Sequence, residues 1–192
     1  MVNRRSVLKI GAATVAGVLV KVPVSGGNLS QRRAHIAFHM AVFDERFTEC
    51  RGFAAELHNA GVVTSPIRGD VAELWYRDLR VHLRENCLPV AGLTDRAALF
   101  CLEELARDVD RRVIFRADHM IDQNGHTQHT AVGQPSLVAV THSLTAETGF
   151  GRTLAVLLSQ FDINEPRDVA AQKRTGPFSP ENKTTLVSWL IA

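Results

Sequence analysis

The middle of the chain alternates apolar and polar residues in a way that predicts a strand, a helix and a second strand. Residues 88–94 form a short apolar run, which is typical of a buried strand. Residues 95–110 predict a helix, because apolar side chains recur on one face at three- and four-residue spacing: Ala98, Leu99, Leu102, Leu105, Ala106 and Val109. Residues 111–119 form a second apolar run. We interpret this stretch as a βαβ unit with two parallel strands.

The same alternation occurs twice before this unit. Residues 35–43 and 62–67 predict buried strands, and residues 48–58 and 71–85 predict amphipathic helices. The order of elements up to His119 is therefore βαβαβαβ with short connections, which is typical of a sheet covered by helices. We predict an α/β fold with a mostly parallel sheet flanked by helices, as in a Rossmann-like or flavodoxin-like three-layer sandwich.

The regular alternation ends after His119. Asn124-Gly125 is the strongest local signal for a two-residue hairpin turn, so we predict a hairpin after the fourth strand. A two-residue turn at this position fixes the pairing of the two arms. In that register Met120 faces His129.

The last third of the chain is less regular. Residues 137–141 have the composition of a buried strand, and residues 152–160 predict a helix. Residues 185–191 have strand composition, although residues 179–181 (Ser-Pro-Glu) are a good helix start. We favour a final strand, because burial in the sheet explains an apolar chain end, and a terminal helix remains the alternative.

The first residues differ in composition from the rest. Arg4, Arg5, Lys9 and Lys21 lie in residues 1–27, which contain no acidic residue. The apolar part of this segment is shorter than the roughly 20 residues that a membrane-spanning helix needs. This composition predicts a targeting segment rather than part of a folded core.

Residues 3–9, Asn-Arg-Arg-Ser-Val-Leu-Lys, resemble the twin-arginine export signal. Arg4, Arg5, Leu8 and Lys9 match its pattern, whereas positions 3 and 7 depart from it. The resemblance implies export of a folded protein through the twin-arginine (Tat) translocase of a bacterial inner membrane, and hence a periplasmic or secreted location. The membrane would be contacted only through this segment, if it is not cleaved. We therefore divide the chain into a signal segment, 1–27, and one α/β domain, 28–192.

Charge argues against a nucleic-acid partner. The chain has 22 Lys and Arg against 20 Asp and Glu. Four of the basic residues belong to the signal segment, so the domain itself is slightly acidic and lacks the basic surface that nucleic-acid binding needs. The three cysteines, Cys50, Cys87 and Cys101, show no paired spacing, and they do not indicate a disulfide scaffold.

The candidate site follows from the predicted topology. Ligands of open parallel sheets bind beyond the carboxyl ends of the strands, where loops and helix N-termini converge. The residues after the predicted strands are therefore candidates. We predict acid–base catalysis by Asp44, Asp118 and His119, and we predict ligand binding by Arg46, Arg68, Asp70, Thr94 and His142.

Each of these side chains also has a purely structural interpretation. Asp70 and Thr94 are residue types that cap helices, and the two arginines can pair with neighbouring acids. Asp118 beside His119 suggests proton transfer. Adjacent residues of a strand point to opposite faces, however, so contact between these two does not follow from their spacing.

The sequence indicates neither a metal site nor a recognisable cofactor motif. His119, His126 and His129 lie near Asp122, but the predicted hairpin register places His126 and His129 on opposite sides and His119 too far away for one metal ion. No dinucleotide or P-loop motif is present. Residues 149–152, Gly-Phe-Gly-Arg, offer backbone amides and an arginine to a phosphate or carboxylate, or form an ordinary loop.

Two functions fit these features. The first is an exported binding or accessory protein for a small polar ligand, such as a small anion, or for a partner enzyme. The alternative is a small exported enzyme in which His119 acts as acid or base and Arg46 and Arg68 hold an anionic substrate. An enzyme requires these groups in one open pocket, whereas a binding module predicts that they are paired off as caps and ion pairs.

Overall fold

The first four strands and the helices between them follow the predicted alternation. The computed structural model describes residues 38, 40–85, 88–141, 144, 149–159, 170–174 and 183–192, which belong to one unit, Ala34–Ala192. Its strands are β1 (Met40–Asp44), β2 (Val63–Ile67), β3 (Val90–Asp95), β4 (Val113–Ile121), β5 (Thr127–Gly133), β6 (Ala170–Arg174) and β7 (Thr184–Ile191). Its helices are α1 (Thr48–Asn59), α2 (Ala72–Leu74), α3 (Arg80–Glu85), α4 (Arg96–Arg107), α5 (Pro135–Thr141) and α6 (Phe150–Leu158), and the π-helical turn Trp75–Leu79 joins α2 to α3.

The sheet is mixed, so the prediction of a mostly parallel, Rossmann-like or flavodoxin-like sheet was wrong. The strand order is β2-β1-β3-β7-β4-β5-β6. Only β1 with β2 and β1 with β3 are parallel, and the other described pairs are antiparallel. β7, from the end of the chain, lies between β3 and β4 and separates the strands of the predicted βαβ unit. Because β7 is antiparallel to both, β4 still runs in the direction of β1, β2 and β3.

Helices cover both faces of the sheet and form two cores. On one face, Phe53 of α1, Leu137 of α5 and Leu154 of α6 are buried together. On the other face, Leu79 in the π-helical turn and Leu99 of α4 are buried together. β3 and β7 are buried on both faces along most of their length, which explains the apolar runs in their sequences.

Trp189 of β7 determines why β3 carries a glycine. Gly92 pairs with Trp189 across the sheet, and a Cβ atom at Gly92 would lie 2.1 Å from the indole ring. The indole Nε1 donates a hydrogen bond of 3.1 Å to Thr94 Oγ1. The glycine therefore provides the space that a buried tryptophan needs in the centre of the sheet.

The hairpin after β4 is present, but its predicted register was wrong by one residue. Ile121 pairs with Thr127, so residues 122–126 form the loop. Asp122 holds this loop, because its Oδ1 accepts the backbone amides of Asn124 and His126, each at 2.9 Å. These two bonds favour the five-residue loop over the two-residue turn that Asn124-Gly125 predicts. Because the register is shifted by one residue, His129 pairs with His119 and not with Met120.

Two predictions for the last third had different outcomes. Residues 137–141 are helical, not a strand, since they belong to α5, which begins at Pro135. The final strand is confirmed as β7. Within the described part of the chain, no helix combines the length and apolarity required to cross a membrane. The signal segment 1–27 lies outside the described residues.

Candidate functional site

The carboxyl ends of β1, β2, β3 and β4 meet at one edge of the sheet, because these four strands share a direction. Asp44 ends β1 and Asp95 ends β3, while Arg68 immediately follows β2. The residues predicted to form a site at this edge are therefore at the correct end of the molecule, and their partners decide which of them remain open to a ligand.

Arg46 joins two acids across this edge. Its Nε donates a hydrogen bond to Asp44 Oδ1 at 2.9 Å. Its Nη2 donates hydrogen bonds to Oδ2 of Asp44 and to Oδ2 of Asp95. Asp44 is completely buried. The hydrogen bond to Asp44, and then that to Asp95, raises the pKa of Arg46 above its ordinary value. The predicted catalytic Asp44 and the predicted ligand residue Arg46 thus neutralise each other.

Two further predicted ligand residues have structural partners. Asp70 Oδ1 accepts the amide of Ala72 at 2.8 Å at the start of α2. Thr94 is completely buried and bonded to Trp189. Thr94 was predicted to cap α4, but that role belongs to Asp95, whose Oδ1 accepts the amide of Ala98 at 2.8 Å. Capping consumes polar groups that would otherwise be free to bind a ligand.

A cleft of about 350 Å³ opens beside β2 at the same edge. It is lined by Glu45, Pro66, Ile67, Arg68, Asp70, Glu73, Leu74 and Arg77. Arg68 pairs with Glu45, and its side chain is 82% exposed. An exposed ion pair of this kind contributes little to stability, about 0–1 kcal/mol, so a ligand can replace one partner at low cost. The predicted ligand residues Arg68 and Asp70 therefore line an accessible space.

Asp118 and His119 point to opposite faces of β4, so they do not form a catalytic pair. Asp118 Oδ1 accepts hydrogen bonds from Arg96 at 3.1 Å and Arg116 at 3.2 Å. The ring of His119 is fully buried on the other face, against Phe150 of α6. No proton can pass directly between these neighbours.

His119 forms a different hydrogen-bonded chain. Its Nδ1 lies 2.7 Å from Nδ1 of His129, and its Nε2 lies 2.8 Å from Oγ of Ser188. These two residues come from β5 and β7, the strands on either side of β4. Burial, and secondarily the neighbouring His129, hold the pKa of His119 well below its usual value. His119 is therefore neutral near pH 7, and a single proton occupies the hydrogen bond between the two Nδ1 atoms.

This chain has the order hydroxyl, imidazole and orienting group that nucleophilic catalysis uses. Its position differs from that of an active site, since His119 and Ser188 are each 0% exposed. Ser188 was not among the predicted site residues, and the predicted hairpin register placed His129 opposite Met120 instead of His119. The available signal was Ser188 itself, a polar residue within the apolar run of the last strand.

The glycine turn before α6 does bind a carboxylate, but one that belongs to this chain. Glu49 of α1 accepts the amide of Gly149 at 2.9 Å and that of Gly151 at 2.8 Å. A Cβ atom at Gly151 would lie 2.0 Å from the backbone oxygen of Glu49, so the two segments are in close contact. The amides are therefore occupied and tie α6 to α1.

No cluster of three or more His, Cys, Asp or Glu side chains is arranged to hold a metal ion among the described residues. His142, the remaining predicted ligand residue, lies outside them. Burial raises the pKa of Cys50 to about 12, so this cysteine is a protonated core residue. Comparison of the chain with protein-family models, curated proteins and solved structures found no match.

Proposed function

We propose that this protein is an exported binding or accessory protein that holds a small polar ligand in the cleft beside β2. One observation carries the proposal. Asp44 and Asp95 are tied to Arg46 at the carboxyl edge, whereas the pair of Arg68 with Glu45 is exposed and lines an accessible cleft in which a ligand can replace one partner. Internal pairing of this kind is what distinguishes a binding module from an enzyme that keeps reactive groups available.

The lining of the cleft defines the ligand class. Arg68 and Arg77 contribute positive charge, and Glu45, Asp70 and Glu73 contribute negative charge. Apolar contacts come from the three remaining side chains of the lining. A small molecule with a carboxylate to meet Arg68 and a second polar or cationic group to meet the acids complements this arrangement.

A thermal-shift screen tests the proposal. The folded domain is melted with a panel of amino acids, dicarboxylates and diamines. We expect at least one compound with a carboxylate to raise the Tm, because a ligand that binds only the folded state stabilises it. Arg68→Gln should abolish the shift. Arg96→Gln is the matched control, since Arg96 is also exposed and paired but lies outside the cleft. No shift with any compound, or equal loss in both variants, contradicts the proposal.

We also propose that the chain is exported by the Tat translocase. The support is the pair Arg4-Arg5 followed by Leu8 and Lys9. Changing both arginines to lysine keeps the positive charge of the segment but removes the motif. Fractionation of cells that make this variant should find the protein in the cytoplasm, whereas the unaltered chain reaches the periplasm or medium. Equal export of both contradicts the assignment.

The alternative function, an exported enzyme, is supported by one observation, the chain Ser188–His119–His129. Such an enzyme needs Ser188 to be reached by a reagent that attacks activated serines. A fluorophosphonate probe makes this measurable. We expect no labelling of the folded protein, because the hydroxyl is buried. Labelling that disappears in Ser188→Ala would favour the enzyme over the binding module.

A further inference from the structure

The outer face of the helix formed by α2, the π-helical turn and α3 carries an exposed aromatic residue. The side chains of Leu79 and Leu83 face the core, whereas Tyr76 is 69% and Val81 50% exposed. Tyrosine is among the residue types that contribute most to protein interfaces, because it provides a large contact area together with a hydrogen-bonding hydroxyl. Tyr76 lies in the π-helical turn, and its exposed ring is a candidate contact for a partner.

Two arginines beside Tyr76 lack ion-pair partners among the residues that the structure describes. Arg80 and Arg84 are exposed and form no ion pair there. Arg77, on the same helix, shows the contrast, because it is paired with Glu73 at 2.9 Å and with Asp78 at 2.8 Å. An exposed guanidinium that forms no ion pair can bind an incoming anion without first losing a partner.

These side chains line a groove of about 370 Å³, which we name the Tyr76 groove. Its lining residues are Tyr76, Arg80, Val81, Arg84 and Glu85. With two arginines and one glutamate the lining is net positive, while Tyr76 and Val81 add apolar surface. None of these residues lines the cleft beside β2, so the two are separate features of the same helix.

The spacing of the arginines sets the geometry of the partner. Arg80 and Arg84 are four residues apart in α3, which corresponds to about 6 Å along the helix axis. Carboxylates on one side of an extended peptide recur every second residue, about 7 Å apart. The π-helical turn widens the helix just before this pair, and such turns are frequent at functional sites.

We propose that the Tyr76 groove docks an acidic segment of a partner protein, with two carboxylates of that segment on Arg80 and Arg84 and an apolar side chain on Tyr76 and Val81. Charge complementarity favours this occupant. An anionic membrane is a poorer match, because the groove is concave and a flat bilayer surface does not enter it. This proposal uses residues other than those of the ligand cleft, so either can fail without the other.

Fluorescence anisotropy tests the proposal with a labelled peptide in which a leucine and two glutamates occupy three successive alternate positions, so that all three side chains lie on one side of the extended chain. The full domain should bind it, and binding should weaken as salt is added. The double variant Arg80→Gln with Arg84→Gln should weaken binding about tenfold, the combined effect of two exposed charge pairs. Arg107→Gln is the matched control, because Arg107 is an exposed helical arginine that pairs with Glu103 and Glu104 instead.

A gain of binding separates this account from a general loss of charge or fold. Glu85→Gln removes the negative charge from the groove, so it should strengthen peptide binding, and a peptide with glutamines in place of glutamates should not bind. The proposal is overturned if the peptide fails to bind, if Arg107→Gln weakens binding as much as the double variant, or if vesicles of phosphatidylglycerol bind through these arginines while the peptide does not.

Discussion

The buried histidine pair makes stability depend on pH through a single residue contact. His119 and His129 face each other through Nδ1 atoms 2.7 Å apart, so only one proton fits between them. A second proton would place two N–H groups face to face in a site without solvent. A neutral His119 is therefore part of the folded state.

The first prediction concerns the pH dependence of unfolding. Unfolding returns His119 to its ordinary pKa near 6.5, so below that pH the unfolded chain binds more protons than the folded chain. The free energy of unfolding should therefore fall as pH drops from 6.5 towards the lowered folded pKa, by up to about 1.4 kcal/mol per pH unit. Urea unfolding at a series of pH values measures this slope.

Two variants identify the residue responsible. His119→Gln should flatten the slope, whatever its effect on absolute stability. His58→Gln is the control variant, because His58 is an exposed histidine in the last turn of α1. A slope that is the same in the His119 variant as in the natural chain would show that another group causes the acid sensitivity.

At the element scale, sequence patterns located most elements but not their register. The helix over Thr48–Asn59 was predicted almost to the residue, because its apolar spacing and Gly61, which has a φ of 89° just after the helix, are local features. The β4–β5 register was not, since Asp122 binds two loop amides and lengthens the turn. Residues 137–141 read as a strand because they are apolar and partly β-branched, and tertiary packing made them helical.

The contact between α1 and α6 gives a second prediction. Glu49 accepts the amides of Gly149 and Gly151, the donors at the start of α6. Glu49→Ala leaves both amides without this partner and should cost about 1–3 kcal/mol in the free energy of unfolding. Glu49→Gln should cost less, because the amide oxygen still accepts one of the bonds.

Chemical denaturation with hydrogen exchange checks this contact. In Glu49→Ala, the loss of protection from hydrogen exchange should be largest in α6, because Glu49 accepts hydrogen bonds from amides at the start of this helix. Glu56→Ala is the control on α1, because Glu56 is a glutamate of the same helix, two turns further along, outside this contact. Equal destabilisation by both alanine variants would mean that helix propensity, not the link to α6, is responsible.

At the scale of the whole molecule, the insertion of β7 decides both the topology and the site. A strand from the end of the chain pairs with β3 and β4, and no local pattern reveals such a distant partner. The first four strands still run in the same direction, so Arg68 and Asp70 lie at the carboxyl edge of the sheet, as predicted. His119 was placed on the correct strand, but its partners on β5 and β7 depend on pairings that the sequence does not show.

We propose that the cleft beside β2 retains a small polar ligand, while Asp44, Arg46 and Asp95 at the same edge serve the fold. Native mass spectrometry of the protein purified from the exported fraction tests this most directly. The account predicts a mass above that of the polypeptide, by the mass of a small polar molecule, and loss of that additional mass in Arg68→Gln but not in Arg96→Gln. The bare polypeptide mass, unchanged on titration with the carboxylate panel, would contradict it.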